Sequence, residues 1–201
     1  MKLLRYFLVA TGVLLLFGFV GWYYLSTTQL KVEYKNAHNV TVVDKQTNKQ
    51  IGIINRPGDS VRVSISTSYV VRYSGNPGFA NGSISVVSSD KPVLINPYFS
   101  DNRLDELLNI ELQRIQNVIK KTYPTVDDLY VISDGKLFHF GDWYGTTLVY
   151  RGEYSQNSDT LRIILHKKGG VWVIATQPDI LLTTTAYPSV PFDILSRTNT
   201  L

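Results

Sequence analysis

The chain has 201 residues, 44% of them apolar and 12% aromatic, too much core-forming material for extensive disorder. It contains no cysteine, which excludes disulfides, thiolate metal sites and thiol catalysis, so its stability must come from ordinary burial. The net charge of +4, from 20 Lys+Arg against 16 Asp+Glu, is not gathered into a dense basic stripe, which argues against a nucleic-acid partner.

The first element in chain order is an uncharged run over residues 6–25, preceded by Lys2 and Arg5 and closed by Trp22, Tyr23 and Tyr24. At 1.5 Å per residue a helix over this run is about 30 Å long, the thickness of a bilayer's hydrocarbon core. A basic near flank and an aromatic far end are the marks of membrane interfaces. The pattern predicts a transmembrane signal-anchor over 6–25, with 1–5 as a cytoplasmic basic flank. Lys2, Arg5, Trp22, Tyr23 and Tyr24 are then the membrane-interface residues. All that follows would be extracytoplasmic, on a single-pass protein of the plasma (cell) membrane. A cleaved signal peptide is the competing reading, although the only small-residue patch near its end is Ser26-Thr27-Thr28.

From residue 29 to 97 the sequence reads as short strands between turns. Leu30, Val32 and Tyr34 alternate with Lys31, Glu33 and Lys35, the period of a half-buried strand. Residues 40–43 and 51–54 flank the polar turn 44–49, and Arg56-Pro57-Gly58-Asp59 marks another turn. Val61, Val63 and Ile65 alternate again, followed by residues 69–73 and 84–87. Strands at this spacing predict a small all-β sandwich. Val40-Thr41-Val42-Val43-Asp44, a polar turn, Lys49-Gln50-Ile51-Gly52 and Arg56-Pro57-Gly58-Asp59-Ser60-Val61-Arg62-Val63 make up the relevant layout. Over residues 38–90 it resembles a PEGA-type surface β-domain, with Arg56-Pro57-Gly58-Asp59 where the namesake string would stand. The resemblance implies an extracytoplasmic binding or spacer module without catalytic residues.

After Ser100 the period changes. Leu104, Leu107, Leu108, Glu111, Leu112, Ile115, Val118 and Ile119 fall at three- and four-residue spacing, which predicts an amphipathic helix over 101–122. Ser100 is a candidate N-cap, acidic residues open the helix, Lys120 and Lys121 close it, and Pro124 stops it. Residues 129–132, 137–140, 144–151, 161–166 and 171–176 then read as strands joined by Asp134-Gly135 and Gly169-Gly170 turns, with 180–184 as a further strand. The expectation over 99–186 is an α+β module, one helix packed on an antiparallel meander sheet. Its layout is similar to cystatin-like and NTF2-like folds, which host many functions. The tail 187–201, with Pro188 and Pro191, is expected to pack only in part.

Residues 30–98 hold eight Lys/Arg against four Asp/Glu, and residues 99–201 ten against twelve. The basic module would therefore be the membrane-proximal one, with Arg56, Arg62 and Arg72 either facing anionic headgroups or simply solvated.

Chemistry-bearing residues are sparse. His38 and His166 fall at turn and strand ends. His139, in Leu137-Phe138-His139-Phe140-Gly141-Asp142, has a carboxylate three residues on that could orient its imidazole, making His139 and Asp142 the only catalytic candidates. No nucleophile accompanies them, and a histidine hydrogen-bonded at a strand end is the favoured reading of the pattern. Asp127-Asp128 reads as loop punctuation, and Glu153 and Asp159 lack calcium-loop spacing. Trp143, Tyr144 and Trp172, on a sheet with one open face, are candidate ligand- or partner-binding residues. No cofactor and no metal site is expected. Together these features point to a membrane-anchored binding or scaffold protein. It would contact the lipid bilayer through its N-terminal helix and a protein or cell-envelope partner through its C-terminal module. A small-molecule or glycan pocket between helix and sheet is the alternative, and an envelope hydrolase using His139 and Asp142 a third.

Overall fold

A computed structural model describes residues 22, 25–89, 91–153 and 159–201. The chain divides into two compact units at Pro97/Tyr98.

Among the described residues the first unit contains seven strands. β1 (Thr27–Tyr34), β4 (Ser60–Ser64) and β7 (Val93–Ile95) form one sheet in the order β4-β1-β7. β2 (Ala37–Asp44), β3 (Gln50–Ile54), β5 (Ser68–Gly75) and β6 (Gly82–Val87) form another in the order β3-β2-β5-β6. Alternation decides what faces inward: Leu30 and Val32 are fully buried while Gln29 and Lys31 are exposed. Those two residues share a core with Val40, Val42, Ile54, Val63, Tyr69, Val71 and Ile95. The β2–β3 turn is held by Asp44, whose Oδ1 accepts the backbone N–H of Gln46 and Thr47 at 2.9 and 2.8 Å and the Thr47 hydroxyl at 2.9 Å. β7, to which the sequence reading assigned no strand, pairs parallel with β1 through Val32↔Val93 to Tyr34↔Ile95. Three residues are too few to show a period.

In the second unit the helix expected over 101–122 is α1 (Asp101–Thr122), followed by the short α2 (Val126–Leu129). β8 (Tyr130–Ile132), β9 (Lys136–Phe138), β10 (Trp143–Tyr150), β11 (Leu161–Lys168) and β12 (Val171–Ile174) form an antiparallel sheet in the order β12-β11-β10-β8, with β9 pairing the other half of β10. Leu104, Ile115 and Ile119 of α1 pack on Tyr144, Leu148, Ile163, Leu165 and Trp172.

At the end of the chain one expectation is filled in and one is corrected. Residues 187–201 hold a helix that adds to the core: α3 (Phe192–Asn199) buries Ile194, Leu195 and Thr198 against Phe138, Trp143 and Ile164 on the sheet's second face, while Phe192 and the rest of its outer side stay exposed. The sheet is covered on both sides, and the first six residues of β10 are buried as a result. Each large apolar side chain taken out of water here contributes about 1.5–3 kcal/mol, so an eight-residue helix can hold its place without intrinsic propensity. Residues 180–184 are not a strand. Only Asp179 bridges to β11, at Arg162, and beyond it Asn199 takes up the backbone of Leu182 through its own side chain.

The expected fold with an N-terminal transmembrane helix is also corrected. Among the described residues no helix is long and apolar enough to cross a membrane. The longest, α1, carries Asp101, Arg103, Asp105, Glu106, Arg114, Lys120 and Lys121 around a single apolar stripe, a pattern that suits a protein core and not lipid. Of the span placed at 6–25, only Trp22 and Leu25 are described, and both are exposed. Lys2, Arg5, Tyr23 and Tyr24 lie outside the described residues. The chain is a β-rich protein of two compact units, and a single-pass membrane architecture is not part of its described fold.

Candidate binding surface

The candidate residues from the sequence do not converge. β-strand alternation sends Trp143 and Tyr144 to opposite faces of the sheet. Trp143 lies under α3, its indole stacked on the His166 ring with centroids 3.9 Å apart and planes 3° apart. Tyr144 is fully buried on the α1 side, where its hydroxyl accepts the Gly135 N–H at 3.1 Å and burial pushes its phenol pKa up. Trp172 is 5% exposed and donates its indole N–H to Glu111 Oε2 at 2.8 Å. All three are core residues: α3 covers Trp143 on one face of the sheet, and α1 covers Tyr144 and Trp172 on the other.

His139 does not pair with Asp142. It sits in the β9–β10 turn at φ 58, a left-handed conformation, and its imidazole Nε2 lies 2.6 Å from Asp193 Oδ2 in the first turn of α3. The carboxylate only accepts, so Nε2 carries the proton. The ring face stacks on Tyr98, with centroids 4.0 Å apart and planes at 7°. Asp142 instead offers its carbonyl to the Lys167 N–H at 2.7 Å, and its Oδ1 is buried without a hydrogen-bond partner among the described residues. With one side of the imidazole committed to Asp193 and a face to Tyr98, the arrangement fastens α3 to the turn. Among the described residues no group of three His, Asp or Glu side chains is placed to hold a metal ion.

Glu111 stands in the apolar stripe of α1 and is 9% exposed. Besides the Trp172 bond it accepts Lys167 Nζ at 3.0 Å and lies 3.4 Å from Arg114. Those partners, the Trp172 hydrogen bond first and Lys167 next, hold its carboxyl below the ordinary value against the opposing effect of burial. Between the middle of α1 and the β11–β12 hairpin the space is occupied by this network and the apolar side chains around it.

The surface that does stand open is elsewhere. A groove of about 380 Å³ runs between residues 181–184 and α3, lined by Leu181, Leu182, Phe192 and Leu195 with Thr184 and Ser196 at its rim. Phe192 is 72% and Leu181 59% exposed, and Ile180 beside them is 49% exposed. Asn199 fixes one wall: its Oδ1 accepts the Leu182 N–H at 3.0 Å and its Nδ2 donates to the Leu182 carbonyl at 2.8 Å, much as a neighbouring strand would. Thr183 Oγ1 accepts the Ala186 N–H and Thr200 Oγ1 donates to the Arg197 carbonyl. These polar groups are spent inside the unit, so the groove presents apolar area. Sequence reading missed it because residues 180–184 look like a strand and the tail looks loose. The signal present was an uncharged Ile180-Leu181-Leu182 run beside a Pro-flanked Phe192.

No protein-family model, no curated protein and no solved structure matches this chain. The likeness of residues 38–90 to PEGA-type domains therefore rests on the spacing of turns and valines alone.

Proposed function

We propose that this chain is a non-catalytic binding protein whose C-terminal unit holds a protein partner through an apolar anchor seated in the groove between residues 181–184 and α3. The observation that carries the reading is the exposure of Phe192 and Leu181 on one concave, uncharged surface, with exposed Ile180 next to Leu181 in the chain. Contiguous exposed apolar area rimmed by polar groups marks interaction sites. The occupant follows from the lining. It has no charge to match and few uncommitted hydrogen-bond groups, so it selects an apolar side chain on a partner segment, the way anchors fill pockets at interface centres.

The test is selection of short peptides from a random library against the full chain, followed by binding measurements on two variants, Leu181→Asp and Phe192→Ser. Selected peptides should share an apolar anchor and bind both variants at least about tenfold more weakly, the effect of losing one such contact. Circular dichroism should be unchanged, since both side chains are exposed. Peptides without a common anchor, or binding indifferent to both substitutions, would overturn the proposal.

A further inference from the structure

A second cavity, of about 280 Å³, lies where α1, β9 and α3 meet, lined by Asp101, Leu104, Asp105, Lys136, Leu137 and Arg197. We infer that it is a binding site for a small zwitterion of the amino-acid type, whose ammonium faces Asp101 and Asp105 while its carboxylate faces Lys136 and Arg197.

The charges are the first argument. Asp101 and Asp105 are one helical turn apart on α1, and the two cations come from other elements, Lys136 from β9 and Arg197 from α3. Among the described residues none of the four forms an ion pair, although both signs line one cavity. Arg197 is held without being neutralised, since its guanidinium carbon lies 4.7 Å from the centre of the Phe138 ring. A purely anionic ligand would meet the two carboxylates and a purely cationic one the two cations. Only a ligand bearing both charges satisfies both pairs, and like-charge contact is how a site rejects the alternatives.

The backbone supplies the second argument. Lys167 N–H bonds the Asp142 carbonyl just outside the Trp143↔His166 pair. In an antiparallel ladder that places the N–H and C=O of Trp143 on the other side, toward Phe138 of β9. Alternation then turns the N–H and C=O of Leu137 away from β10, to the side of β9 on which no described strand pairs. Leu137 lines the cavity and is 3% exposed, which puts this unpaired side of β9 next to the four charges. The nearly buried Leu104 gives the remaining wall its apolar character. The volume is just below the range of about 300–1,000 Å³ typical of drug-sized ligands, which restricts the occupant to a smaller molecule.

Isothermal titration of the full chain with glycine, β-alanine, 4-aminobutyrate and 6-aminohexanoate tests this, with acetate and methylammonium as single-charge controls. The inference expects saturable binding that peaks at one chain length, with both controls at least about tenfold weaker, the loss that goes with one charge-assisted contact. Arg197→Gln, Asp105→Asn and Lys136→Gln each remove one exposed charge and should each weaken the preferred ligand by a similar factor with circular dichroism unchanged. No saturable binding by any member of the series, equal binding by acetate, or indifference to all three substitutions would overturn it.

Discussion

Glu111 Oε2 accepts the indole N–H of Trp172 at 2.8 Å while its other oxygen accepts Lys167 Nζ at 3.0 Å, so one carboxylate ties α1 to both strands of the β11–β12 hairpin. Truncating it leaves a buried donor without an acceptor. Glu111→Ala should destabilise the second unit by about 2–4 kcal/mol, whereas Glu111→Gln, which keeps an acceptor for Trp172 and loses only the charge, should cost about 1 kcal/mol. Urea unfolding followed by tryptophan fluorescence reads the difference as a shift in midpoint at constant slope. Equal costs for Ala and Gln would mean that the hydrogen bond contributes nothing.

The same carboxylate gives a pH dependence whose sign is fixed. Trp172, then Lys167, hold the folded pKa of Glu111 below its ordinary value of 4.5, and the unfolded chain titrates near that value. A group with a depressed folded pKa contributes stability that is fully present above the unfolded pKa and is lost as pH falls through the folded one. The stability gap between wild type and Glu111→Gln should therefore be constant above about pH 5.5 and shrink progressively below about pH 4.5. Asp44, whose carboxyl is lowered mainly by the Thr47 backbone N–H, titrates in both proteins and cancels in the difference. A gap that widened on acidification would show that burial dominates at Glu111.

These cases show where sequence was legible. The stripe through Leu104, Ile115 and Ile119 placed α1, because twenty-two residues give six turns over which a 3.6-residue period can declare itself. Glu111 stood inside that stripe, and a carboxylate on a core face already implies partners. What it could not reveal was which strands would bring them. The second layer was harder to see, because α3 is only two turns long and follows two prolines. Its one sequence trace is β10, Trp143-Tyr144-Gly145-Thr146-Thr147-Leu148-Val149-Tyr150, which lacks any charge on either face, as strands covered on both sides do. Trp143 looked available for the same reason, only while the second face of the sheet looked open. The groove and the zwitterion cavity need α3 in place before they exist, so they depend on tertiary contacts that no local pattern encodes.

The His139–Asp193 bond predicts a local effect and little else. His139 occupies a left-handed conformation at φ 58 and reaches 2.6 Å to the first turn of α3. His139→Ala keeps the backbone strain and removes both the bond and the stack on Tyr98, at a cost of about 1–3 kcal/mol. His139→Asn tolerates the conformation and retains a donor, so it should cost less. Hydrogen exchange should speed up in α3 for the alanine variant while α1 keeps its protection. Uniform loss of protection across the unit would show that the bond supports the whole fold and does not act on α3 alone.

Gly145 and Thr198 should be strongly coupled. Gly145 lies on the α3 face of β10, where an added Cβ would collide with Thr198 Oγ1 and lie 3.0 Å from both Thr198 Cγ2 and Phe138 Cε2. Gly145→Ala must therefore displace α3, an overpacking cost of about 1–3 kcal/mol. Thr198 is fully buried and its hydroxyl has no hydrogen-bond partner among the described residues, so Thr198→Ala gives up packing but also removes an unsatisfied group and should cost under about 1 kcal/mol. In the double variant the new methyl group occupies the space that the threonine branch vacates. The pair should be less destabilised than the sum of the singles by about 1–2 kcal/mol, a coupling large enough to measure in a four-protein urea unfolding cycle. Additive costs would mean that the strand shifts away from α3 and that the close seat of this helix on Gly145 does not hold in solution.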